Sequence, residues 1–188
     1  EFNKKMAEAK KLREHEEEIN RTKARSKASK IWEQSVKPPT DHPYLISKRV
    51  QSHGLKLSRG KLIVPLYDQN QVLQSLQFIG PDGEKRFLRG GLTKGCYFPI
   101  EGALDKILYI AEGFATAATV HEVTGSAVAV AFYANNLEPI AKALREKFPN
   151  LEIVICADDD HQTKGNPGIR KAIEAATATR SKVVIPEF

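Results

Sequence analysis

Three consecutive carboxylates, Asp158-Asp159-Asp160, stand at the end of an apolar run, and few folds accommodate that arrangement. Residues 151–155 (Leu-Glu-Ile-Val-Ile) are rich in β-branched side chains and read as a buried strand. Like charges packed this closely repel one another, so core packing gives no reason for them, whereas a cation or a catalytic task does. A second apolar run, Ile107-Leu108-Tyr109-Ile110-Ala111, leads directly into Glu112-Gly113. In an open parallel sheet, ligands collect beyond the carboxyl ends of the strands. Glu112 and the acidic run are therefore expected at one sheet edge. Alternation along the chain points Asp158 and Asp160 one way and Asp159 the other. Taken singly, Glu112 reads as a favourable charge at a helix N-terminus, and the acidic run could be a turn cap or surface patch. Together they favour an all-oxygen site for Mg²⁺ or Mn²⁺.

From residue 107 onward, strand and helix patterns alternate. A helix carrying Ala115, Ala118, Thr119 and Val123 ends at Gly125, and residues 126–131 form the next strand. Asn135 or Asn136 is expected to cap a helix whose apolar face is Leu137, Ile140, Ala141, Leu144 and Phe148. After the strand at 151–157 come a polar Gly/Pro loop and a helix with Ile169, Ala172, Ile173 and Ala176 on one face. A last strand follows at 183–185. This β-α-β-α-β-α-β order predicts an α/β fold with a doubly wound parallel sheet and right-handed crossovers.

The upstream third has a different character. Residues 61–67 and 72–79 read as strands joined by the turn Asp68-Gln69-Asn70-Gln71. Pro81-Asp82-Gly83 turns into a third strand at 85–89, and Gly90-Gly91 precedes a fourth at 96–100. A small antiparallel sheet is expected, lined by Arg59, Lys61, Lys85, Arg86, Arg89 and Lys94. Such a basic face suits contact with phosphodiesters. It equally suits edge strands, whose charges discourage aggregation. Residues 1–34 are dominated by Lys, Arg and Glu, with a thin helical stripe of Phe2, Met6, Ala9 and Leu12. The basic block at 21–27 reads as a solvated helix or linker in preference to a nucleic-acid contact. Ile31 and Trp32 are expected to dock the end of this helix, Pro38-Pro39 breaks the chain, and residues 42–46 form a short helix or turn. Three regions follow: a charged N-terminal helix or linker (1–37), a basic, mainly antiparallel β subdomain (38–104) and an α/β domain (105–188).

The length of 188 residues allows one fair-sized core with an appended subdomain. A net charge of +6 favours a polyanionic partner. Cys96 and Cys156 are the only cysteines and form no CxxC pair, which argues against structural zinc and disulfides and for a reducing, cytoplasmic setting. No apolar run is long enough to span a bilayer, so no membrane association is expected. The chain opens Glu1-Phe2 and stops just after an apolar strand, and it reads as a piece of a longer protein. His161 reads as a solvent-facing loop residue in preference to a further metal ligand, and His121 is assigned no role.

Residues 107–113 (ILYIAEG) together with 155–160 (ICADDD) resemble the Toprim domain shared by topoisomerases, DnaG-type primases and some nucleases. Residues 62–67, 77–79, 82–88 and 95–100 are similar to the basic subdomain preceding Toprim in bacterial primases, those of conjugative plasmids and phages above all. The resemblance implies RNA primer synthesis on single-stranded DNA from nucleoside triphosphates. It places Mg²⁺ or Mn²⁺ on Asp158 and Asp160, with Glu112 as a further ligand or in proton transfer, and makes all three catalytic. It sets Lys85 near template or nucleotide with Arg86 assisting, and the basic face of the antiparallel sheet adds Lys61, Arg89 and Lys94 as candidate nucleic-acid or nucleotide contacts. A primer-template duplex is the product-side partner, and a helicase or relaxase in the same parent protein is compatible with the family. Two departures stand out. Primases carry a further acidic pair after the next strand, whereas this chain stops at Pro186-Glu187-Phe188, so the domain reads as truncated. The loop at 161–166 is longer than in cellular primases. Competing expectations are a Toprim nuclease and a non-catalytic nucleic-acid-binding module. A topoisomerase would need a tyrosine nucleophile on another domain, and an Asp-nucleophile phosphotransfer domain would need an identifiable phosphate-stabilising Lys set.

Overall fold

A computed structural model describes residues 2–158 and 166–185. Helix α1 (Phe2–Gln34) is exposed over its first two-thirds, where Phe2, Met6 and Leu12 face water. It docks only near its end. Ala24 and Ala28 are small enough to let the helix close on the first sheet, where Ile63, Leu76 and Leu88 cover them, and Ile31 and Trp32 pack at the margin as expected. The Lys56 ammonium sits 4.5 Å over the Trp32 ring and also donates to the Trp32 carbonyl. Helix α2 (Pro43–Lys48) starts with proline in its first turn, and the His42 ring accepts from the Tyr44 N–H.

The first sheet is antiparallel, in the order β1 (Lys56–Ser58), β2 (Lys61–Tyr67), β3 (Leu73–Ile79), β4 (Lys85–Phe87). Strand β1 carries no sequence signal because it is three residues long. It exists because Arg59 and Gly60 both adopt positive φ (48° and 73°), the geometry that a two-residue hairpin turn needs. Strands β2 and β3 are joined at Asp68, whose side chain accepts from the N–H groups of Asn70 and Val72.

The expected fourth strand belongs elsewhere. Strand β5 (Phe98–Ile100) pairs antiparallel with β7 (Val128–Val130) and forms the edge of a five-stranded sheet ordered β5-β7-β6-β8-β9. Tyr97, just before it, exchanges two backbone hydrogen bonds with Tyr67 and so links the two sheets. The reason is burial: all three residues of β7 are buried, and β5 satisfies the backbone on its outer side.

Strands β6 (Ile107–Ala111), β7, β8 (Glu152–Cys156) and β9 (Lys182–Val184) are parallel. The chain steps from β6 to β7 in one direction and then back across to β8 and β9. Right-handed crossovers therefore put α3 (Phe114–Thr124) on one face and α4 (Leu137–Lys147) and α5 (Pro167–Thr179) on the other. The cores agree. Phe114, Ala117 and Ala118 of α3 share a cluster with Leu62, Val64, Leu66 and Ile79 of the antiparallel sheet. Ile140, Leu144, Ala172 and Ala175 pack with Ile110, Ile153 and Ile155 on the opposite side.

The expected Asn cap has a different job. Asn136 makes no capping bond to α4. Its buried side-chain amide donates to the carbonyls of Ala131 and Cys96, and its Oδ1 accepts from the Gly95 N–H, pinning the loop before β5 to the end of β7. His121, given no role in the sequence, stands edge-on to His53, whose Nε2 lies 2.6 Å from Glu122. Among the described residues, no helix is long and apolar enough to cross a membrane.

Candidate active site

Strands β6 and β8 are neighbours, with Ala111 level with Cys156. The chain leaving β6 turns toward β7 on one face, and the chain leaving β8 turns toward β9 on the other. The gap between their carboxyl ends is thus a topological switch point, where open α/β sheets bind ligands. Glu112 is the first residue beyond β6, and Asp158 is the second beyond β8. Asp159, Asp160 and His161 lie outside the described residues.

Four groups meet at this gap. Gly113 is the N-cap of α3, in extended conformation and without a side-chain cap. A Cβ built on Gly113 would lie 3.6 Å from Lys85 Nζ, 3.9 Å from Asp158 Oδ2 and 4.0 Å from Thr116 Oγ1. The Thr116 hydroxyl also donates to Asp158 Oδ1 at 3.1 Å, which fixes the carboxylate over the first turn of α3. There the positive end of the helix dipole favours negative charge. Glu112 is half-buried, with Oε2 shielded from solvent, and its carbonyl accepts from the Phe132 N–H at 2.7 Å. Phe132 holds φ at 73°, an unusual value for a bulky side chain, so the backbone beside Glu112 is fixed at a local conformational cost.

Of the five basic residues expected at the site, Lys85 brings its ammonium to the point beside Gly113 that Asp158 also approaches. Arg86 alternates to the other face of β4 and pairs with Glu84 at 2.7 Å. Lys61 opens β2 half-buried, and Arg89 and Lys94 are exposed between β4 and β5. Gly113, Thr116 and Phe132 were not singled out as site residues. The signal for Thr116 is its place in the first turn of α3, just past the N-cap Gly113. Phe132 gives no sequence signal, because its role rests on backbone conformation.

A divalent cation fits the donor chemistry. Glu112 and Asp158 offer carboxylate oxygens from adjacent strand ends, the donor type that Mg²⁺ and Mn²⁺ take. The nearby Cys156 thiol is buried, and that burial, with the Asp158 charge adding to it, pushes it up to about 11. Among the described residues, no three His, Cys, Asp or Glu side chains gather into a closed metal site, and Asp160 is outside that set.

The Toprim domain family matches over residues 107–187, the segment that carries both carboxylates. Residues 107–187 belong to the Toprim family. The chain is also similar to two Escherichia coli proteins named DNA primase TraC. It is 42% identical to one over 168 residues and 40% identical to the other over 164 residues. The matches cover 82% and 81% of this chain but only 16% and 11% of those relatives, so the chain spans a small part of their length. Among solved structures, the primase fragment of the bacteriophage T7 primase-helicase protein superposes with a TM-score of 0.55 at 18% identity, over 77% of this chain and 64% of that one. A DNA primase domain from Pseudomonas aeruginosa gives 0.50 at 12% identity, over 70% and 44%. Both share this chain's fold over the superposed part.

Proposed function

We propose that this chain is part of the catalytic core of a DNA primase that joins nucleoside triphosphates into RNA primers on single-stranded DNA. The convergence of Lys85, Thr116 and Asp158 on the space beside Gly113 supports this reading, since an ammonium from the basic sheet and a carboxylate from the end of β8 approach the same point. The names of the relatives point the same way, and the net charge of +6 suits a nucleic-acid partner.

Glu112, Asp158 and Asp160 would hold Mg²⁺ or Mn²⁺, which when bound aligns a 3′-hydroxyl with an α-phosphate and neutralises departing pyrophosphate. Thr116 orients Asp158 through its hydroxyl. Lys85 meets the phosphate charge, and Lys61, Arg89 and Lys94 extend the basic track along which template and primer-template run, whereas Arg86 lies on the opposite face of β4 and is held by Glu84. Glu112 is placed to hold the ion or to take the proton of the attacking hydroxyl. The setting is the cytoplasm, within a longer protein of a plasmid or phage that could also carry a helicase or relaxase.

The test is primer synthesis by the intact parent protein on single-stranded DNA with Mg²⁺ and nucleoside triphosphates. Glu112→Gln and Asp160→Ala should each lower synthesis at least a hundredfold with an unchanged circular dichroism spectrum. Unimpaired synthesis by either variant rejects the assignment. Nicking of DNA without nucleotides would mark a nuclease instead.

A further inference from the structure

Strand β4 is three residues long, and all three are exposed. Pleating sends Lys85 and Phe87 to one face and Arg86 to the other. Lys85 ends beside Gly113 and Asp158, where β6 and β8 finish. Phe87 ends beside the residues leaving β7. Its ring meets Phe132 with centroids 6.0 Å apart and planes at 71°, and meets Tyr133 at 6.2 Å and 82°. Because β7 and β6 are neighbours, β4 lies across both strand ends. It holds an ammonium over one and an aromatic ring over the other.

Phe87 stays 38% exposed, although Leu88, the next residue, is buried. Both aromatic contacts are edge-to-face, so neither neighbour lies flat against the Phe87 ring. Phe132 is buried and its backbone is tied to the Glu112 carbonyl, which makes it a fixed buttress. Tyr133 is half-buried, with its hydroxyl 3.4 Å from Thr93 Oγ1. A rigidly supported, water-exposed ring two residues from a phosphate-binding cation is the combination on which single-stranded nucleic acids stack their bases.

We infer that Phe87, buttressed by Phe132 and Tyr133, is a stacking platform for one nucleobase whose phosphate is met by Lys85. The inference rests on the nucleic-acid reading of the site. The base belongs either to single-stranded DNA or to a free nucleotide, and both present the same π-face.

The 188-residue chain is titrated with an oligothymidylate of about twelve nucleotides, a length within the usual span of such sites. It is titrated separately with UTP. Wild type is compared with Phe87→Leu, Phe87→Trp and Lys85→Ala. Matching probes carrying 5-iodouracil are then photo-crosslinked and the adduct is mapped by mass spectrometry. Phe87→Leu should bind roughly tenfold more weakly in the arm that supplies the base, with unchanged melting, while Phe87→Trp binds as wild type does. The adduct should fall on Phe87 or Tyr133. Wild-type affinity in Phe87→Leu, or an adduct elsewhere, overturns the platform while leaving the primase reading standing if Lys85→Ala still weakens binding. No binding of either probe by the wild type overturns both.

Discussion

The Lys85 ammonium and the Asp158 carboxylate converge on one point, 3.6 and 3.9 Å from where a Cβ on Gly113 would stand. They come from different sheets, so this meeting depends on how the antiparallel sheet seats on α3 and the Toprim sheet. The apolar cluster shared by Leu62, Val64, Leu66, Ile79, Phe114 and Ala117 sets that seating. Core packing thereby fixes an electrostatic relationship at the surface. The glycine keeps the point open.

Lys85 should therefore have opposite effects on two ligands. Its positive charge opposes a divalent cation at Asp158 and attracts the phosphates of nucleic acid. At an exposed site, one unit charge a few ångströms away is worth about 1 kcal/mol. Lys85→Ala is expected to bind Mn²⁺ about fivefold more tightly and an oligonucleotide several-fold more weakly. Paramagnetic broadening of NMR resonances reads the first, and fluorescence anisotropy reads the second. A loss of both affinities would show that Lys85 supports the carboxylates structurally.

Thr116 contributes through one hydroxyl. Its hydrogen bond to Asp158 Oδ1 orients the carboxylate, and removing such a supporting bond costs metal affinity about tenfold or more. Thr116→Val should show that loss in a Mn²⁺ titration, whereas Thr116→Ser keeps the hydroxyl and should bind as wild type does. Circular dichroism of the two variants should match, since Thr116 is only half-buried.

Asn136 is a stability determinant. Its fully buried amide closes bonds to Ala131, Cys96 and Gly95, and Asn136→Ala would leave those backbone groups without that partner. A cost of about 3 kcal/mol is expected, read as a lower urea midpoint. The loop carrying Lys94 should lose hydrogen-exchange protection before the parallel sheet does.

The parallel half of the fold was legible because its strands are continuous apolar runs and its helices carry clean apolar faces. Glu112 and Asp158 were legible for the same reason, as charges placed where such runs stop. What sequence periodicity could not supply was the relation between distant segments. Strand β5 has the composition of its predicted sheet, yet it pairs with the distant β7 in the register Phe98 with Val130. Asn136 resembles a cap locally, and only the approach of residues 93–96 reveals its work. Phe87 and Lys85 read as edge-strand residues until α3 and the end of β7 are brought beneath them.

Alkaline pH should loosen the link between the two sheets. Burial, with Asp68 adding to it, pushes the Cys96 thiol from 9.0 up to about 12. Below pH 9 the thiol is protonated in both the folded and the unfolded chain, and its contribution to stability is intact. Above that value the unfolded thiol ionises while the folded one does not, so the unfolded state binds fewer protons and stability falls as pH rises toward 12. The expected slope is about 1.4 kcal/mol per pH unit for this group. Urea unfolding across this window should show the decline, and Cys96→Ala should reduce the slope by that amount from a lower starting stability. An equal slope in the variant would mean that other groups, such as the buried Tyr44 phenol raised to about 12, carry the alkaline loss.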